Sequence, residues 1–254
     1  MEGNRRWRRR MIVVLALAAS FVVGSTWFAS STEAVETFPD ADRILLINDA
    51  GPVRVRSVSS FDGVLDEPVS VAGIIVRASQ SWLVRGPRVE SVTEGDSLVV
   101  RVTCPSRFPC RAALEIFVPS GVQLSVVAAR HMVQVDTFDG ALSIFAGEEG
   151  VVLGSVAGSV SIVSDGPVSG ATLGPAELTI EVVDAPVELT FIDPPMLLSV
   201  TAGTRDVFIA LPTEEEYLVD ATAPSLAIAV DSNELSERLV SVRAEGSVSI
   251  NPTP

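Results

Sequence analysis

Lysine is absent from the 254 residues, and histidine and tyrosine occur once each, as His131 and Tyr217. Each gap removes a class of chemistry. Without lysine there is neither a Schiff-base amine nor a Ser/Lys dyad. A lone histidine leaves a catalytic triad or a histidine-based metal site without partners, so His131 reads as a strand-face or turn residue. Serines are plentiful, yet no Gly-x-Ser-x-Gly elbow occurs. Aromatics are scarce at 6%, which argues against an aromatic ligand cage. The apolar 47% is carried by Val, Ala, Leu and Ile, residues that suit β-branched strand packing.

Cysteine is limited to Cys104 and Cys110, which bracket the segment 105–109 between strand-like runs at Ser97 to Thr103 and Ala112 to Val118. There is no C-x-x-C spacing for a metal or redox pair. In an exported chain this even pair reads as a disulfide stapling a hairpin loop.

Charge is also unevenly spread. Residues 1 to 31 carry five arginines against one glutamate, +4, so the rest of a chain of net charge -14 bears -18. A polyanionic bulk repels nucleic-acid phosphates, so no nucleic acid is expected as a partner. Arg5, Arg6, Arg8, Arg9 and Arg10 form a basic flank, residues 1–10, placed on the cytoplasmic side. From Met11 to Thr32 no side chain is charged. The apolar run within 11–29 is long enough to cross a hydrocarbon core of about 30 Å, and Trp27 and Phe28 stand where an outer aromatic belt would lie. The expected location is a single-pass cell-membrane anchor with the C-terminal domain extracytoplasmic; small residues Ala29, Ser30 and Ser31 keep open a secreted form after signal cleavage.

Residues 30–42 read as a polar stalk. Residues 43–254 form a succession of short apolar runs separated by turn residues, among them Asn48-Asp49-Ala50-Gly51, Glu94-Gly95-Asp96 and Asp139-Gly140. Leu124, Val133, Leu142, Val151 and Val160 fall nine residues apart, the phase breaks across 166–175, and Ile180, Leu189, Leu198 and Val207 resume it. The pattern predicts an all-β fold, a β-solenoid or β-roll-like stack of short strands behind an N-terminal transmembrane helix, with a β-sandwich as the alternative. Within it, 43–121 reads as an irregular cap with a hairpin, 122–212 as regular coils and 213–254 as closing strands. The single candidate helical turn is Ser232 to Arg238, with Ser232 as its cap.

Carboxylates stand close in sequence at Asp136 and Asp139, at Glu148 and Glu149, and at Glu214 to Glu216 beside Tyr217. Glycosidases need two such groups at set separations. All of these fall at predicted turns, where solvation explains acids without catalysis. Calcium-binding nonameric rolls need a repeated Gly-Gly-x-Gly-x-Asp pattern, which is missing, leaving Asp139, Glu148, Glu149 and Asp165 as a weak acidic candidate. No catalytic, cofactor-binding or metal residues are therefore assigned, and no cofactor is expected.

Four stretches carry a family likeness: residues 48–55, Asn-Asp-Ala-Gly-Pro-Val-Arg-Val; Gly95 to Val100 leading to Cys104-Pro105; Phe117 to Val122; and Gly203 through Ile209 to Leu211-Pro212. With the N-terminal span, their order resembles the bacterial putative-adhesin family of unknown function, over nearly all of residues 43 to 251. The likeness lies in turn grammar, and Ala185-Pro186 and Pro194-Pro195 depart from a turn Gly-Asp. It implies repeated-β extracytoplasmic architecture and adhesion at a bacterial surface. The expectation is a non-enzymatic, membrane-anchored surface module, adhesin-like, binding a protein or cell-envelope polymer. The alternatives are an accessory subunit of an envelope-stress or transport system and a carbohydrate-active enzyme.

Overall fold

The computed structural model describes residues 30–38, 41–57, 73–82, 85–105 and 110–253. Residues 1–10 and 11–29, expected as basic flank and spanning helix, lie outside them. No helix among the described residues is long and apolar enough to cross a membrane.

Among the described residues eighteen strands form one continuous sheet that bends into two faces. Alternation of buried and exposed residues builds each strand: β8 (Gln123–Ala128) buries Leu124, Val126 and Ala128 and turns Gln123 and Ser125 outward. The long strands β9 (Val133–Ala146), β10 (Val151–Ser164) and β11 (Val168–Val182) each contribute a first half to one face and a second half to the other. β8 pairs in parallel with the second half of β9, Leu124 opposite Leu142, while Val133 lies opposite Val151. One coil is therefore 18 residues, and the nine-residue rhythm of the sequence is half a coil. Parallel pairing between successive coils is the mark of a solenoid; a sandwich joined by short turns would pair antiparallel. The step then changes, with Val151 opposite Val168 and Leu178 opposite Leu198, which accounts for the broken phase around residues 166–175.

The first face runs, in spatial order, β5 (Arg88–Glu94), β6 (Ser97–Thr103), β2 (Arg43–Asn48), β8, the second halves of β9, β10 and β11, β13 (Leu197–Ala202), β17 (Leu239–Ala244) and β15 (Leu218–Thr222). The second runs β1 (Ser30–Phe38), β4 (Ile74–Trp82), β7 (Cys110–Val118), β3 (Val53–Ser57), the first halves of β9 to β11, β12 (Val187–Phe191), β14 (Val207–Leu211), β18 (Ser247–Pro252) and β16 (Ser225–Ile228). The inward residues of both faces, such as Ile44, Val55, Leu142, Val160 and Ile250, make one apolar core.

Several expectations change. The segment 43–121 is not merely an irregular cap, because β2 and β3 stack in parallel register within the solenoid. Residues 30–42 are not simply a stalk: β1 pairs along its whole length with β4, antiparallel. The closing coil β17–β18 does not close the stack; it is inserted between β13–β14 and the outermost coil β15–β16. Coil β2–β3 is likewise inserted, between β6–β7 and β8–β9. Residues 232–238 form turns rather than a helical turn, since the Asn233 side chain accepts from the Leu235 N–H at 2.9 Å and Ser236 Oγ from the Arg238 N–H at 3.1 Å.

The disulfide Cys104–Cys110 is formed, with a Cα–Cα distance of 5.8 Å. Its setting differs from a hairpin. β6 pairs with β5 and β2, β7 with β4 and β3, so the bond spans the passage from one face to the other. Closing so short a loop stabilises by about 2 kcal/mol. The double variant Cys104→Ser/Cys110→Ser is expected to lose that amount in urea unfolding, and dithiothreitol to destabilise the native chain but not the variant. A native chain indifferent to reductant would contradict this.

Candidate functional site

Neighbouring coils lie about 4.8 Å apart, so outward residues in register become rows. On the first face one row is Ser125, Ser143, Ser161, Thr179, Ser199 and Ser241. Six hydroxyls thus follow one line for about 24 Å. Along one side runs a second row, Ile47, Val127, Phe145 and Val163, continued by Glu181. Phe145 is 44% and Val163 37% exposed, a large share for outward apolar side chains on adjacent coils. On the other side stand Gln123, Ala141, Ser159 and Glu177. The face is uncharged over its centre and periodic, with a hydrogen-bonding row against an apolar one. It can offer repeated weak contacts, and at its margin Ser159 Oγ donates to Glu177 Oε2 at 3.3 Å.

The second face carries a charged cluster around β3. Arg54 and Arg56, on β3, both reach Asp136 Oδ2, at 2.6 and 2.7 Å, and Gln134 donates to the other oxygen at 2.7 Å. Arg56 and Arg77 also approach Glu115, and Arg77 approaches Glu33. Beneath them the Phe117 ring, 1% exposed, has both guanidiniums near it, 6.0 Å from Arg56 and 5.8 Å from Arg77, within cation–π range. A shallow cavity of about 260 Å³ opens here, lined by Arg54, Arg77, Glu115, Met132 and Gln134. Partial burial would raise the Asp136 carboxyl, but the bonds from Arg54, Arg56 and Gln134 outweigh it and hold it below the usual carboxylate value. Asp136 is thus a strand residue clamped by two arginines, not a turn acid. The cluster ties β3 to β7 and β9, its charges matched within itself.

A depressed carboxylate stabilises the fold above its ordinary value of 3.8, and that stability fades as pH falls through the lower native value. Asp136→Asn leaves Arg54 and Arg56 without the shared anion, and a loss of about 1–2 kcal/mol is expected near neutral pH. The gap between native and variant chains, followed by urea unfolding against pH, should shrink toward strong acid. A pH-independent gap would contradict it.

The other acids remain apart from this cluster. Asp139 is exposed at the bend of β9. Glu149 accepts from the Met132 N–H at 3.1 Å and lies 3.6 Å from His131 Nδ1, which places His131 at a turn beside one carboxylate. Among the described residues no group of three His, Cys, Asp or Glu is placed to hold a metal, so Asp139, Glu148, Glu149 and Asp165 are not brought together as one. Glu215 approaches Arg238 at 3.5 Å. Tyr217 is buried, donates to the Pro212 carbonyl at 2.9 Å, and has its hydroxyl pushed up to about 12, chiefly by burial.

No family model matches the chain. No curated protein matches it either. Solved structures do. A "putative adhesin" from Parabacteroides distasonis is 9% identical, covering 87% of this chain and 97% of its own, with a TM-score of 0.44. One from Parabacteroides merdae is 10% identical over 87% and 96%, with a TM-score of 0.43. A "putative lipid binding protein" from Parabacteroides distasonis is 10% identical over 89% and 97%, with a TM-score of 0.41. Two of these three bear the name of the group that the sequence resembles.

The hydroxyl row was the residue set that sequence reasoning missed. Its signal was available, since Ser125, Ser143 and Ser161 recur every 18 residues, but it emerges only when the nine-residue rhythm is doubled.

Proposed function

We propose that the chain is a non-enzymatic binding module displayed outside a membrane by residues 11–29, whose first face contacts a repeating cell-envelope polymer or an envelope protein. The observation that carries this reading is the in-register row from Ser125 to Ser241 beside the apolar strip of half-buried Val127 and exposed Phe145 and Val163. A rigid row of donors and acceptors repeating at about 4.8 Å suits a ligand that is itself periodic. Many weak contacts then add without any deep pocket. The second face supports the same division of labour, because the charged groups of its β3 cluster are spent on one another.

The test is co-sedimentation of the full-length chain, in mild detergent, with isolated cell-wall sacculi and, separately, with envelope protein extract. Ser143→Arg/Ser161→Arg places two long side chains across the row and is expected to weaken retention at least tenfold. Ser169→Arg, on the outward side of the second face, is the control and should leave it unchanged. Equal retention of all three chains, or retention by neither fraction, sinks the reading.

A further inference from the structure

The two ends of the stack are finished differently. At the β1–β5 end, the outermost strands run antiparallel to their neighbours and turn polar groups into the core rows. In β5, Ser91 and Thr93 lie opposite Val100 and Leu98; in β1, Glu36 lies opposite Val76. Such an edge resists further pairing. At the β15–β16 end the outermost coil is parallel and its core row stays apolar. Leu226 and Ile228 stand in register with the buried Val248 and Ile250, and Val219 and Ala221 with the buried Val240 and Val242. With no coil beyond them among the described residues, Leu226 is 44% and Ile228 41% exposed, and Leu235 in the adjoining turn is 90% exposed.

The backbone edge is open as well. The Ala229 N–H donates to the Ile250 carbonyl at 2.8 Å, so the alternation of a parallel strand turns the N–H and C=O groups of Leu226 and Ile228 away from β18. Among the described residues, β16 pairs with β18 alone. Around this edge the charge is strongly negative. Residues 213–238 hold Glu214, Glu215, Glu216, Asp220, Asp231, Glu234 and Glu237, all exposed, against the single base Arg238. The turn 229–238 is bound to the start of the outermost coil through Tyr217 N–H to Asp231 O and Asn233 N–H to Tyr217 O, which keeps these acids beside the open end.

We propose that the β15–β16 end is a docking site for an extended segment of a partner protein, with apolar and basic residues alternating, that adds as a strand along β16. The apolar residues cover Leu226 and Ile228, the free N–H and C=O groups extend the ladder, and the bases meet the acidic rim. A second copy of this chain fits the edge but not the charge, since it would set seven carboxylates against seven. This site is separate from the hydroxyl row and stands or falls without it.

The experiment is fluorescence anisotropy of the full-length chain in mild detergent with a labelled nine-residue peptide of alternating valine and lysine. Saturable binding is expected, with at least tenfold weaker binding of a valine/glutamate peptide, of a serine/lysine peptide, and of the valine/lysine peptide N-methylated on alternate residues. Ile228→Pro, which deletes an outward N–H, should reproduce the last effect in a chain of unchanged melting temperature. The N-methylated peptide gives the same information with native protein if that variant fails to fold. Equal binding of the serine/lysine or N-methylated peptide would reduce the interaction to charge attraction and overturn the proposal. So would a peptide-free dimer in sedimentation velocity that Leu226→Asp disperses, because that assigns the end to a second copy.

Discussion

Gly158→Val is expected to destabilise the stack by about 3–5 kcal/mol, more than any surface change described above. Two costs add. Gly158 has φ +89°, in the region where a β-branched residue is an outlier, worth roughly 1–2 kcal/mol. A Cβ at this position would lie 2.2 Å from the carbonyl oxygen of Gly140 on the coil beneath. That neighbour is backbone inside a parallel ladder and cannot swing aside, so the two coils must separate at the bend, at a further cost typical of overpacking. Gly95 separates the two effects: its φ is +56°, yet a Cβ there meets nothing within 4 Å. Gly95→Ala should therefore lose only about 1 kcal/mol. Urea unfolding followed by circular dichroism decides it, and equal losses at Gly158 and Gly95 would show that close stacking at the bend contributes nothing.

Asn48→Ala is the second large effect, about 3 kcal/mol. Asn48 is fully buried. Its Nδ2 donates to the carbonyls of Gly51 at 2.8 Å and Ala112 at 3.0 Å, and its Oδ1 accepts from the Ala50 N–H at 3.0 Å. One side chain thus satisfies the corner after β2 and links it to β7 in the next coil. Alanine leaves buried backbone groups without partners, each costing about 1–3 kcal/mol. Because β2–β3 is the coil inserted between β6–β7 and β8–β9, loosening it should also raise hydrogen exchange in β7. Protection in β7 that survives Asn48→Ala would mean the corner acts locally and does not hold the inserted coil.

Legibility followed distance along the chain. The strands themselves could be read from alternation, as in Leu124/Val126 and Leu142/Ile144, because which side chain faces inward depends only on its immediate neighbours. Turn residues could be read for the same reason. The cysteine pair could be read as a bond, but not as a link between faces, since nothing in the runs flanking it tells which strands they join. Asp136 looked like a turn acid because its partners Arg54 and Arg56 are 82 and 80 residues away. β1 looked like a stalk because its polar composition conceals its use, which is to cover an edge that only β4 creates.

The amino-acid sequence by itself determined that this protein is a repeated-β chain with an acidic body and strands near nine residues apart. Tertiary structure alone decided that nine residues make half a coil, that hydroxyls 18 residues apart become one row, and that each end of the stack is crossed by an inserted coil. The reason is physical: alternation specifies inside and outside strand by strand, whereas many apolar strands of equal length could pair in parallel with one another. Which of them do so depends on bends, close glycine contacts and corner hydrogen bonds that exist only once the coils are stacked.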